Sequence, residues 1–210
     1  MTVAARLLLL VSLTALGGCV IAGAAASKVT GPPKVQPLYT PAKRPLLVLA
    51  ENYTNPSQAM FDAEHLARAV SRELDKNNVA PTIDPVRAID LRSAQPATYR
   101  EMSIAEIGRS LGAQQVLYID VRVSGIVMAE ASDIMKATML TRVRMIDTAT
   151  GETLWPTDAH EGYQLVHETP LQRQSRQVTE DSLRLQAARG MGQRIARLFY
   201  IYQSDEPRPE

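Results

Sequence analysis

This 210-residue chain has one cysteine, three histidines and an aromatic content of 5%. A lone cysteine forms no internal disulfide and builds no cysteine-based zinc site, so packing and hydrogen bonds must hold the fold. The histidines at 65, 160 and 167 show no metal-ligand spacing, and His160 and His167 would face opposite sides of one regular strand. There is no H-E-x-x-H, no P-loop, no G-x-G-x-x-G and no isolated acid–base pair. The sequence therefore nominates no metal, no cofactor and no catalytic residue. Charge of one sign is also lacking. Removing residues 1–18 takes away Arg6 and leaves 22 basic against 22 acidic side chains, too even a balance for a nucleic-acid-binding field.

What the chain does have begins at its N-terminus. Arg6 precedes the apolar run "LLLLVSLTAL", then come Gly17, Gly18 and Cys19. A positive end, a short apolar core and a small-residue cleavage site make a secretory signal. "LGGC" resembles the lipobox of bacterial lipoproteins. That resemblance implies cleavage between Gly18 and Cys19, diacylation of the Cys19 thiol and acylation of the new amino terminus. Several acyl chains anchor a protein stably where one does not. The alternative is an uncleaved anchor helix, because residues 7–27 carry no Asp, Glu, Lys or Arg. Against it, "GGCVIAGAAA" is only weakly apolar. Both readings tether the chain at its N-terminus outside the inner membrane. By resemblance to the sorting rule of bacterial lipoproteins, Val20, with no Asp after the cysteine, implies the outer membrane, facing the periplasm.

The expected organisation is a signal peptide at 1–18, a lipidated flexible tether at 19–44, an α/β domain at 45–203 and a disordered tail at 204–210. The tether holds Pro32, Pro33, Pro37 and Pro41 and has no hydrophobic period. The continuous apolar run "PLLVLA" predicts a buried strand. A helix follows, capped by Ser57, with Ala63, Leu66, Ala67, Val70 and Leu74 on one face and Asn77–Asn78 at its end. "APTIDP" suits a short edge strand between prolines. Ser103 and Glu106 have capping-box spacing ahead of a second helix that ends at Gly112.

"QQVLYIDVRVSGIVM" alternates, which predicts a strand with one buried face: Leu117, Ile119, Val121 and Val123 inward, Tyr118, Asp120, Arg122 and Ser124 outward. The pattern continues through Met139, Val143 and Met145, turns at Gly151 and returns in "TLWP", with a further strand in "EGYQLVHE". A long C-terminal helix should carry Val178, Leu185, Met191, Ile195, Leu198 and Tyr202. Gly190 and Gly192 either weaken it or let it lie close to a sheet. The fold class is mixed α/β: a mainly antiparallel sheet flanked by helices, with a long C-terminal helix.

"GRSLG" at 108–112 matches the G-x-S-x-G nucleophile elbow, and Asp133, Asp147, His160 and His167 follow in triad order. The elbow needs a strand before the serine and a helix after it. Here Ser110 falls inside a helix and the strand comes afterwards, so a serine hydrolase is the weakest reading. Lys136, Arg142 and Arg144 share a strand face, either a solvated face paired with Asp120 or a docking surface for a protein or a glycan strand. Trp155 reads as a core or edge anchor, or as an interface residue.

"PLLVLAENYTNPS" at 45–57, "IGRSLGAQQVLYIDVRV" at 107–123 and "TRVRMIDTATGETLW" at 141–155 together resemble a superfamily of envelope proteins. It includes the CsgG-type curli-secretion lipoproteins, the penicillin-binding-protein activator lipoproteins and the N-terminal domain of TolB. The resemblance implies a non-enzymatic accessory module that binds another envelope protein, anchored to the membrane by lipid, with no active site to transfer. A CsgG-like secretion-pore subunit is the family alternative. It would need additional amphipathic hairpins, and only one long alternating pair, about 115–147, is legible. Neither the partner nor the oligomeric state can be read from the sequence.

Overall fold

The computed structural model describes residues 33–52, 59–130 and 132–204. The expectations for residues 1–18, for Cys19, for the Ser57 cap and for the tail beyond Ser204 lie outside these residues. Two units are distinguished, 37–200 and the chain ends around it in sequence. In the second unit, β1 (Lys34–Val35) pairs antiparallel with β9 (Tyr202–Gln203), and the Ser204 N–H donates to the Pro33 carbonyl. Tyr202, expected on the C-terminal helix, is thus a strand residue.

The larger unit is mixed α/β. Its strands are β2 (Leu46–Glu51), β3 (Thr82–Ile83), β4 (Gln115–Met128), β5 (Ile134–Asp147), β6 (Thr153–Trp155), β7 (Tyr163–Glu168) and β8 (Gln172–Arg173). The sheet runs β3-β2-β4-β5-β6, with β7 and β8 also on β5. β2 is parallel to β3 and β4, and all other pairs are antiparallel. The helices are α1 (Ala59–Lys76), α2 (Val86–Ala94), α3 (Pro96–Glu101), α4 (Ile104–Ser110) and α5 (Glu180–Ala196). Among the described residues, no helix is long and apolar enough to cross a membrane. Residues 37–44, read from composition as tether, belong to this unit: the Leu38 and Tyr39 N–H groups donate to the Leu198 carbonyl, and Arg44 pairs with Asp147 at 2.8 Å.

β2 is buried along its whole length because helices cover both sheet faces there. Leu46, Val48 and Ala50 join the core under α1 and α5, with Leu66, Val70, Leu74, Ile119, Met139, Val143, Met191 and Ile195. Leu47 and Leu49 join a second core with Ala88, Tyr99, Ile107, Leu111, Val116 and Tyr118. Each large aliphatic side chain buried in this way contributes about 1.5–3 kcal/mol. The Ser103 capping box forms with both of its hydrogen bonds, and Gly112 takes the left-handed φ of +83° that closes α4.

Three expectations change. β4 does not have one buried face: the second core buries Tyr118, only 3% exposed, on the side expected to meet solvent. Val123 does not point inward either. The register slips between Val121 and Val123, a β-bulge that reverses the parity of everything after it. Val123 is consequently 48% exposed, and Ser124 turns toward α1. The C-terminal helix runs from a Thr179 cap to Ala196, and its buried face is Leu183, Ala187, Ala188, Met191 and Ile195 rather than the stripe through Leu185. Helices α2 and α3 have no periodic signature, since they bury only Ala88 and Tyr99 respectively. The helical glycines permit close approach on two sides: a Cβ on Gly192 would lie 2.7 Å from that of Ala69 in α1, and one on Gly190 would overlap the His167 ring in β7.

Candidate docking face

The residues weighed for catalysis are dispersed among structural roles. Ser110 is the last residue of α4, and its hydroxyl donates to the Ile107 carbonyl at 2.8 Å. β4 comes after it, so the strand–turn–helix order of an elbow is absent at this serine. Gly108 is glycine for packing, because a Cβ there would meet Val116 Cγ2 at 2.5 Å and Thr148 Cγ2 at 2.7 Å. Asp147 organises the following turn by accepting the Ala149 N–H at 2.8 Å and the Thr150 N–H at 3.3 Å. That first bond, more than Arg44 beside it, holds its carboxyl below the usual carboxylate range. Asp133 pairs with Arg173 at 3.2 Å.

His65 stacks edge-on against Phe61, His160 is exposed in a turn before β7, and His167 is half-buried between β7 and α5. Desolvation, aided by Arg194, lowers the pKa of His167. Among the described residues, no three His, Cys, Asp or Glu side chains are grouped to hold a metal ion. Trp155 is an aromatic anchor: it meets Tyr163, Phe199 and Tyr39 at centroid distances of 5.3, 5.6 and 6.3 Å.

What the sheet brings together instead is a face. Helices α2, α3 and α4 cover it over β2 and the start of β4, and the second core ends at Tyr118 and Ile146. Beyond that limit β4, β5 and β7 run on, and their outward side chains fall into register. Val123 lies opposite Leu140, and Leu140 opposite Val166. This apolar row crosses three strands, with Val123 48% and Val166 44% exposed.

Charged residues frame the row. On one side Arg142 pairs with Glu161 at 2.5 Å, Arg122 with Asp120 at 3.3 Å, and the Arg144 guanidinium lies 5.4 Å from the Tyr118 ring centre. On the other side Lys136 pairs with Glu168 at 2.7 Å, and the hydrogen bond from Lys136 holds the Glu168 carboxyl below its usual range. The basic stripe read from the sequence is therefore real: Asp120 stands opposite Arg142 across the two strands, and the side-chain contacts of the stripe run to Glu161, Tyr118 and Glu168. An uncovered apolar strip with a polar, ion-paired rim is the composition of a protein-binding patch. Alternation did not reveal it, because the bulge that turns Val123 outward leaves no mark in the polar and apolar pattern.

Comparison with known proteins follows this geometry. The sequence model described as "Peptidoglycan-synthase activator LpoB" matches residues 20–160. No curated protein sequence matches at a significant level. Among solved structures, the lipoprotein GNA1162 of Neisseria meningitidis is 14% identical, with 73% of this chain and 98% of that chain covered and a TM-score of 0.44. A PelC dodecamer from Paraburkholderia phytofirmans is 14% identical, with 80% and 96% covered and a TM-score of 0.43. The LpoB C-terminal domain from Salmonella enterica is 18% identical, with 61% and 83% covered and a TM-score of 0.33. All three motif segments noted above fall inside the matched residues. Of the groups they resemble, the activator lipoproteins are the ones supported, and the CsgG-type and TolB assignments are not.

Proposed function

The chain belongs to the LpoB family of peptidoglycan-synthase activators, and from that premise we propose that it is a lipid-anchored accessory protein that docks on a peptidoglycan synthase. Cys19 carries the acyl chains, the segment after it spans from the membrane, and the α/β domain works in the periplasm, with the outer membrane as the anchoring surface. The domain supplies no chemistry of its own and acts by binding. Activation by a binding module requires only that it prefer the active conformation of its partner over the inactive one. Neither a serine hydrolase at Ser110 nor a secretion-pore subunit finds support in the family match.

The observation that carries the docking assignment is the uncovered row Val123–Leu140–Val166 with its ion-paired rim. A bulky charge at its centre opposes binding without entering either core. In Leu140→Arg, thermal stability should stay near wild type, while crosslinking in intact envelopes should lose most of the adduct to a peptidoglycan synthase. A wild-type yield of that adduct from Leu140→Arg would remove this face from the interface. The absence of any synthase adduct with the wild-type protein would remove the function.

A further inference from the structure

The same bulged strand has a second open feature, its edge. β2 pairs with β4 only as far as Glu51 opposite Asp120, whereas β4 continues to Met128 along β5. From Val121 onward, no described strand lies on the β2 side. The ladder shows which groups face that opening. The Ala129 N–H donates to the Ile134 carbonyl, so odd-numbered residues here bond toward β5. Independently, Ala137, which stands opposite Ile126, bonds away from β4 to Thr169 through both its N–H and its carbonyl. The N–H and C=O groups of Ser124, Ile126 and Met128 therefore point to the open edge, and among the described residues they have no partner.

Exposed edges are ordinarily blunted by charge, proline or shortness. This one is not. Residues 123–129, "VSGIVMA", contain no charged residue and no proline, and the run is rich in β-branched side chains. Such an edge is suited to pairing with another strand.

We propose that its occupant is a second copy of this chain, paired antiparallel about a twofold axis through Ile126. In that register Ile126 meets its own copy, and Ser124 meets Met128 twice. The N–H and C=O groups of Ser124, Ile126 and Met128 on both edges are then paired. The flanking charges favour the same register: Arg122 of one copy comes opposite Glu130 of the other at both ends, and no like charges face each other in the paired run. An isologous interface of this kind closes on itself as a dimer and joins two sheets into one. The paired strands are short, so the dimer forms at raised concentration, the condition that confinement to a membrane surface supplies.

The register sets the test. In the full-length chain with Cys19→Ser, residues 125 and 127 of opposite copies are a close, non-hydrogen-bonded pair. An equimolar mixture of Gly125→Cys and Val127→Cys chains should form disulfide dimers under mild oxidation, and either variant alone should not. Sedimentation of the wild-type chain in detergent should show the mass doubling across a concentration series. In Met128→Pro that doubling should be lost with the thermal melt unchanged, because the missing N–H faced the open edge. The mass of a single chain throughout the wild-type series would overturn the proposal. So would crosslinking no greater in the mixture than in the single variants.

Discussion

At the scale of single residues, the most consequential arrangement is a buried charge that no local pattern announces. Asp62 is 1% exposed on the first turn of α1, four residues before Leu66 on the apolar stripe. One of its carboxylate oxygens accepts from the Ser124 hydroxyl at 2.5 Å and from the Arg184 guanidinium at 3.0 Å, and the other has no partner among the described residues. Three elements, α1, β4 and α5, are thereby fixed at one point. Read from the sequence, Asp62 is an ordinary acidic residue in a first helical turn. Its counter-ion lies 122 residues further on, and no spacing rule connects them. Removing the cation leaves a desolvated carboxylate, so Arg184→Ala should cost about 3–5 kcal/mol in a urea titration. Arg184→Ala with Asp62→Ala should recover a large part of that loss. A loss below about 1 kcal/mol in the single variant would show that the pair is solvated and structurally idle.

At the scale of elements, β4 separates what alternation can and cannot tell. From Leu117 to Val121 the period-two pattern is correct for the inward side, because Leu117, Ile119 and Val121 are all fully buried. A charge at Ile119 must be desolvated in the main core, whereas Arg122 is largely in solvent beside Asp120. Ile119→Asp should therefore lose about 4 kcal/mol or more and fail to fold, while Arg122→Glu should stay within about 1 kcal/mol of wild type. Equal melting temperatures for the two would withdraw the face assignment.

Beyond Val121 the same sequence alternates equally well in either phase, so a bulge is invisible to the pattern. That one inserted residue exposes Val123, turns Ser124 to Asp62 and sets which backbone groups reach the open edge. Both candidate interfaces depend on it. The Ser103 capping box and the Gly112 cap were legible for the opposite reason: their partners lie three residues away. Helices α2 and α3 were not, because each buries a single side chain and leaves no periodicity.

At the scale of the whole molecule, the proposed anchor at Cys19 is the feature that would give the two proposed surfaces a place to act. Metabolic labelling with an alkyne fatty acid should mark the protein, and Cys19→Ala should abolish the label; a label that survives the substitution would rule out acylation at this thiol. Residue order alone was enough to read the class of protein: a signal-like N-terminus ending at the only cysteine, a balanced charge, a mixed α/β pattern and three motif segments inside the family match. These are local or compositional properties, carried by the order of residues along the chain. Which strand faces are covered follows from the packing of the elements and from nothing local. Burial of β2 on both sides, the bare end of β4, β5 and β7, the Asp62–Arg184 pair and the β4 edge that no described strand pairs with each depend on where one element stops relative to another. That is a matter of packing between segments far apart in sequence, and hydrophobic periodicity, which records one element at a time, carries no information about it.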